Sequence, residues 1–409
     1  MITSEQTIHE IEEALHKKLF HSIKKSESFN KFELEKEAMK LIEEGNYILP
    51  TSIKKIIVTN IINKITGLGP LEVLMQDSTV TEVMVNGKDD IFVEQNGKLQ
   101  KTDIKFQSDE SLLQVINRIV SRIGRRIDES SPLVDARLPD GSRVNAIIPP
   151  LSLTGPILTI RKFPEKSIEI ADLLKFNSLS DKMAEFLYYC ILSKQNMIIS
   201  GGTGSGKTSL LNVCANLIPK DQRVITIEDA AEIKLDLPHL IRLESKAANM
   251  EGKGSIAIRT LLKNALRMRP DRIIVGEIRG AEAIDMLQAM NTGHDGSLTT
   301  VHANAPREAL IRTETMVLMA NLDLPLPAIR NQIISSIDII IQQERDVEGK
   351  RRITHISEID KNFNSTEYKV NDIFVYSRET MTHVPTGFIP KMIKKFKDYN
   401  IDVNEDFFK

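Results

Sequence analysis

The stretch Gly201-Gly202-Thr203-Gly204-Ser205-Gly206-Lys207-Thr208 is the part of the chain best suited to do chemistry. The apolar Met197-Ile198-Ile199 leads into it, and Ser209-Leu210-Leu211-Asn212-Val213 follows it. A strand, a glycine-rich loop and a Lys-Thr that opens a helix form the G-x-x-x-x-G-K-[ST] phosphate-binding pattern. Glycines let backbone N–H groups close around phosphates without Cβ clashes. The helix behind the loop turns its positive end toward the same anion. The pattern predicts Lys207 on the β- and γ-phosphates and the Thr208 hydroxyl on Mg²⁺. Residues 201–209, closing at Ser209, are the expected binding segment for ATP or GTP.

Hydrolysis needs a carboxylate to organise metal and water, and polar or cationic groups to meet charge on the γ-phosphoryl. The apolar Ile273-Ile274-Val275 delivers Gly276-Glu277 at its end, the Walker B position, with Gly276 allowing close approach to the loop. A second apolar run, Val224-Ile225-Thr226-Ile227, ends in Glu228-Asp229. Neighbouring parallel strands would bring Glu228 and Glu277 to one rim, as a metal-bound water and its base require. Read alone, Glu-Asp after a strand is equally a helix-cap signal. Downstream, His294 and His302 frame a short glycine-flanked strand and are candidate γ-phosphate sensors. Zinc is not expected there, because no cysteine is near.

These groups need elements to hold them. At 409 residues the chain has room for two or three domains. Its charge is nearly balanced at −2, so nothing demands nucleic acid as an obligate partner. Only Cys190 and Cys214 occur, which suits a reducing, cytoplasmic compartment. No signal-peptide core or membrane-length apolar stretch is present. Ile8, Ile11, Leu15, Leu19 and Ile23 recur at helical spacing, with Thr3 and Gln6 as a capping box. Further helices are expected at 32–44 and 53–66, each ending at a glycine.

From Gly67 the pattern turns mixed. Strands are expected at 82–85, 91–94 and 99–104, with a hairpin turn at Asn96-Gly97. A helix at 108–123 and strands at 133–138, 143–148 and 157–161 follow, and a linker is read around Pro164. Beyond Ile168, strands at 197–200, 223–227, 240–243, 272–275 and 297–301 alternate with helices, the rhythm of a parallel sheet covered on both faces. After Pro325 come a helix and strands at 336–342, 352–359 and 367–376.

Together these motifs resemble the secretion-ATPase superfamily of type II and type IV secretion traffic ATPases and type IV pilus motors, over about residues 60–345. Thr226-Ile227-Glu228-Asp229 looks like its Asp box, Gly276-Glu277-Ile278-Arg279 like its Walker B box, and Gly293-His294 to His302-Ala303-Asn304 like its His box. The likeness is nearest to the CpaF branch, the Flp/Tad pilus assembly ATPases. Gly67-Leu68-Gly69-Pro70-Leu71, Leu138-Pro139-Asp140-Gly141-Ser142-Arg143, Thr159-Ile160-Arg161-Lys162-Phe163, Gly252-Lys253-Gly254 and Asn264-Ala265-Leu266-Arg267-Met268-Arg269-Pro270-Asp271 carry it. The four-cysteine zinc module usual in GspE-type ATPases has no counterpart here.

The resemblance implies a hexameric ring of Mg²⁺-dependent ATPase subunits. Each would pair a RecA-like P-loop ATPase domain (164–409) with a smaller N-terminal α/β domain (67–163), preceded here by a helical region (1–66). Arg143 and Arg161 match arginines that reach the nucleotide from the mobile N-terminal domain; Arg267, Arg269 and Arg279 are unranked further candidates. The partners implied are inner-membrane platform proteins, with the motor peripheral to that membrane. Two other readings stay open: a RecA-like nucleic-acid translocase, disfavoured by neutral charge and 5% aromatics, and a nucleotide-gated ring scaffold without turnover.

Overall fold

The computed structural model describes residues 11, 14, 15, 18, 19, 31–45, 47, 49–163, 168–246, 253–362 and 367–409. The capping pair Thr3 and Gln6, Pro164 and Gly252 lie outside them. The chain divides into two compact units, Met1–Glu165 and Lys166–Lys409.

In the first unit, helices Lys31–Glu44 and Thr51–Thr66 bury Ala38, Ile42, Ile57, Ile61 and Ile62 together with Ile11, Leu15 and Leu19. Next come β1 (Val80–Asn86), β2 (Ile91–Gln95), β3 (Lys98–Lys101), β4 (Leu133–Arg137), β5 (Arg143–Ile147) and β6 (Ile157–Arg161). They form an antiparallel sheet in the order β3-β2-β1-β6-β5-β4. Inward residues such as Val83, Val85, Val144 and Ile160 alternate with outward ones and meet Leu112, Val115, Ile116 and Ile119 of the helix Asp109–Ser121. Ser108 caps that helix by accepting from the Ser111 N–H. β3 ends at Lys101, short of the expected 104, because Thr102 turns both its N–H and its hydroxyl onto the Ile91 carbonyl.

The second unit holds β7 (Met197–Gly201), β8 (Val224–Glu228), β9 (Leu240–Glu244), β10 (Arg272–Val275), β11 (Leu298–Val301), β12 (Ile339–Arg345), β13 (Arg351–Ile359), β14 (Val370–Ser377) and β15 (Thr382–Pro385). The order is β15-β14-β13-β12-β7-β11-β10-β8-β9. Strands from β12 to β9 run parallel, and β13 to β15 add an antiparallel flank. The central strands are buried on both faces, which is why they read as unbroken apolar runs. Helices Asp181–Leu192 and Lys207–Asn216 cover one face. Ile258–Ala265, Glu282–Asn291, Pro306–Leu318 and Leu326–Ser336 cover the other.

The strand expected at 336–342 starts only at Ile339. Ser336 continues the helix, its hydroxyl donating to the Gln332 carbonyl one turn back. The strand expected at 367–376 is shifted to Val370–Ser377. β15 and the helix Ile393–Asp398 are additions to the expected elements. The helix brings Phe396 to an aromatic cluster in which Phe186 meets Phe374, Phe396 and Phe408 at 5.5, 6.0 and 6.0 Å between ring centroids.

Candidate active site

The phosphate loop leaves the carboxyl end of β7, the rim where open α/β sheets bind ligands. Gly204 and Gly206 take positive φ of 71° and 98°, and Gly206 caps the helix that Lys207 opens. That geometry is strained for any side chain, so the glycines are needed there. Thr203 and Gly204 are exposed, Gly202, Thr208 and Ser209 are half-buried, and Gly201 and Ser205 are buried. Lys207 is itself buried, and its Nζ donates to the Gly202 carbonyl at 2.8 Å. Burial pushes the Lys207 ammonium down from its ordinary pKa, with the Glu277 carboxylate pulling the other way.

β8 and β10 are parallel neighbours with Ile227 opposite Val275, so Glu228 and Gly276 reach the same rim. The Gly276 N–H donates to the Ile227 carbonyl at 2.9 Å. A Cβ on Gly276 would lie 3.1 Å from Glu228 Cγ, which explains the glycine. Glu228 Oε2 accepts from the N–H groups of Glu232 and Ile233 at 2.7 and 2.9 Å. Burial nevertheless raises its pKa above the ordinary carboxyl value. Glu277 Oε2 is forked by Arg279, with Nε at 2.7 Å and Nη2 at 2.5 Å. Of the three arginines left unranked above, Arg279 is the one with this contact, and its own pKa is raised by the bond to Glu277.

β11 runs between β7 and β10 and delivers His302 just past its carboxyl end. His302 Nδ1 lies 3.3 Å from Lys207 Nζ, and Nε2 lies 2.8 Å from Glu277 Oε1. The second contact is close but does not have hydrogen-bond geometry, so Oε1 keeps its lone pairs without a donor. Burial and then Lys207 lower the His302 pKa, and Glu277 opposes them only in part. Ser200 Oγ and Gln342 Nε2 both point to the neighbouring Ala303 carbonyl, at 3.4 and 3.3 Å, and fix this turn from the far face of the sheet.

His294 is not brought to this rim within the chain. It precedes β11, beside Gly296 and Ser297, whose N–H groups donate to Asn196 Oδ1 ahead of β7. The two histidines thus stand at opposite ends of β11, framing it. In the first unit, Arg143 and Arg161 sit directly opposite each other on β5 and β6. Arg137 on β4 faces Arg143 in turn, a third cation in the row that the sequence reading missed. Gln343, Arg345 and Arg351, beside the phosphate loop, were missed too. Their place depends on the pairing of β12 with β7 and β13, and no local motif announces it.

Ser205 Oγ, Glu228 Oε1 and Glu277 Oε1 are buried polar atoms without hydrogen-bond partners around the loop. Such atoms are costly unless a ligand, metal or water completes them. Among the described residues, no group of three or more His, Cys, Asp or Glu is placed to hold a metal ion by itself.

The family model described as Type II/IV secretion system protein matches residues 64–369. A putative conjugal transfer protein of Mycobacterium tuberculosis is 34% identical over 300 residues, covering 72% of this chain and 85% of that protein. The type IV secretion system protein VirB11 of Bartonella henselae is 31% identical over 331 residues, covering 71% of this chain and 92% of that protein. Among solved structures, the pilus retraction motor PilT with bound ADP matches with a TM-score of 0.52 at 18% identity, over 74% of this chain and 82% of that chain. That likeness shows the fold, a RecA-like P-loop ATPase fold.

Proposed function

This chain belongs to the type II/IV secretion system protein family, and we propose that it is an ATP-hydrolysing motor for pilus assembly or secretion across the cell envelope. One observation carries the reading. Lys207, His302 and Glu277 form a contiguous chain of contacts, at 3.3 and 2.8 Å, over a glycine loop at the rim of a parallel sheet. A phosphate cradle alone would serve binding; a carboxylate and an imidazole at its γ end serve turnover.

In this reading the loop amides and Lys207 hold the phosphates of ATP. Thr208, Glu228 and Glu277 would hold Mg²⁺, and the undonated oxygens Glu228 Oε1 and Glu277 Oε1 fit that charge. Mg²⁺ supplies charge neutralisation on the phosphates when bound. Glu277 orients the attacking water, and Arg279 fixes its carboxylate through Oε2, leaving Oε1 for the water. His302, neutral at pH 7, donates to the γ-phosphate and reports its presence to Glu277 and Lys207. Arg143 and Arg161 are the proposed cationic residues of the first unit that add positive charge for the nucleotide. His294 lies ahead of β11, at the end of that strand away from its own chain's phosphate loop.

The finer assignment is a hexameric ring, of the CpaF type of Flp/Tad pilus ATPase, at the cytoplasmic face of the inner membrane and pushing on platform proteins there. The motifs around Gly67, Arg143, Arg161 and Arg269 support the CpaF branch, and relatives named for conjugal transfer and type IV secretion support a machine of that class. No helix among the described residues is long and apolar enough to cross a membrane, which fits attachment through partners.

The test is Mg²⁺-dependent ATP hydrolysis by the protein and by Glu277→Gln, each with and without single-stranded DNA. Turnover that is lost in the variant and indifferent to DNA supports the motor. Strong stimulation by DNA favours a nucleic-acid translocase, and binding without turnover favours a gated scaffold.

A further inference from the structure

We propose that Arg351, supported by Arg345, is a positioning residue for the phosphate loop, acting from the β12–β13 hairpin on the loop's outer side. The inference rests on the nucleotide-binding reading above. A phosphate loop turns its N–H groups inward, so its carbonyls face outward and need donors of their own. Arg351 Nε supplies one, donating to the Gly204 carbonyl at 3.0 Å.

The hairpin is packed against the loop throughout. Gln343 pairs with Gly201, and a Cβ on Gly201 would lie 2.3 Å from the Gln343 carbonyl oxygen. A Cβ on Gly206 would meet Arg351 Cδ at 3.0 Å and Gln343 Nε2 at 3.2 Å, and one on Gly204 would stand 3.6 Å from Arg345 Nη1. Gly202, by contrast, has open space where a Cβ would go. The hairpin therefore braces one side of the loop and leaves the other clear.

Its turn is rigid enough to serve as a brace. Asp346 Oδ1 accepts from the N–H groups of Glu348 and Lys350 at 3.0 and 2.8 Å, and Gly349 takes the positive φ of 85° that the turn needs. Arg352 ties the turn to the sheet, 3.4 Å from Asp346 Oδ2 and stacked 4.9 Å over the Tyr376 ring. Arg345 and Arg351 are direct cross-strand partners at the last rung. Like charges directly opposite destabilise a ladder. Two guanidiniums beside a phosphate loop offset that cost once a polyanion sits in the loop, so the pair couples the antiparallel flank to nucleotide occupancy.

The experiment titrates ADP and ATP into the full chain and its Arg351→Gln, Arg351→Lys and Lys207→Ala variants, with hydrogen exchange followed over residues 202–206 without added nucleotide. A charge-assisted bond on the loop predicts a roughly tenfold weaker Kd for ADP in Arg351→Gln. It also predicts faster loop exchange, an unchanged Tm, and kcat at saturating ATP within about twofold of the parent. Arg351→Lys should fall between, because an ammonium keeps the charge and loses the fixed Nε–H. Parental Kd and loop exchange in either Arg351 variant, beside lost binding in Lys207→Ala, overturn this inference and leave the nucleotide site standing. A parent chain that binds neither nucleotide overturns both.

Discussion

Lys207 Nζ stands 3.3 Å from His302 Nδ1, so the loop cation and the imidazole at the end of β11 face each other directly. An ammonium has only donors, so Nδ1 must present its lone pair and the ring proton sits on Nε2, whose 2.8 Å contact with Glu277 Oε1 lacks hydrogen-bond geometry and leaves that N–H able to donate to a phosphate. This tautomer follows from the partners. It makes His302 the link between the phosphate loop and the Glu277 carboxylate.

His302 is accordingly expected to titrate below its ordinary value of 6.5. The native chain then binds fewer protons at this group than the unfolded chain. Its contribution to stability is complete above 6.5 and is lost as pH falls from there through the lower native value. Filling the loop with ATP offsets the Lys207 charge and should move the pKa up. NMR titration of the labelled imidazole reads both effects, and a value at or above 6.5 without nucleotide would contradict this geometry. His302→Ala should lower kcat roughly a hundredfold, as loss of a donor to developing charge does.

Glu228→Gln should separate stability from activity. The carboxylate is 3% exposed and its pKa is raised by burial, against the pull of the two backbone N–H groups. The native chain holds this proton more tightly than the unfolded one. Stability therefore falls as pH rises through 4.5 and the raised native value, and the full penalty is present above that value. Glutamine removes the charge and still accepts from Glu232 and Ile233. We expect a Tm at or up to about 3 °C above the parent and turnover at least about tenfold lower. A drop in both would assign Glu228 a purely structural role.

Adjacent glycines should behave differently. A Cβ on Gly201 would come within 2.3 Å of the Gln343 carbonyl oxygen and 2.6 Å of Ser205 Oγ, while one on Gly202 meets nothing within 4 Å. Gly201→Ala should cost about 1–3 kcal/mol, as overpacking does. Gly202→Ala should fold like the parent. Chemical denaturation of the pair decides it; equal losses would mean that the β12 contact does not constrain the loop.

What the sequence made legible follows from how local each signal is. The phosphate loop and the Glu277 strand end are contiguous runs whose chemistry needs adjacent residues, and the structure puts them at one rim. His294 and His302 looked like a pair because they frame one strand. A strand separates its ends, though, so only the residue after β11 reaches the loop. Arg137 and Arg351 were silent because each gains meaning only from a partner on another strand. β15 is four residues long with no buried position, and the helix Ile393–Asp398 has one buried residue, Phe396; neither carries a periodic apolar signal.

Arg272 is the fully buried cation among the described residues of the second unit and gives the last test. It opens the Glu277 strand and donates from Nε to Gln222 Oε1 at 2.7 Å, from Nη2 to the Ile191 carbonyl at 2.7 Å and from Nη1 to the Gly296 carbonyl at 3.3 Å. Burial lowers its pKa to about 10, which still leaves it charged at pH 7. Arg272→Met strands three acceptors and should cost about 3–5 kcal/mol, as loss of one partner of a buried charged contact does. Gly296→Ala should also destabilise, since φ is 79° and the new Cβ would lie 2.0 Å from Arg272 Nη1. That clash disappears when the guanidinium does. The double variant should therefore lose less than the sum of the singles, by roughly 1 kcal/mol or more in a double-mutant cycle. Strict additivity would show that the His294 loop is not held to the start of β10 through this guanidinium.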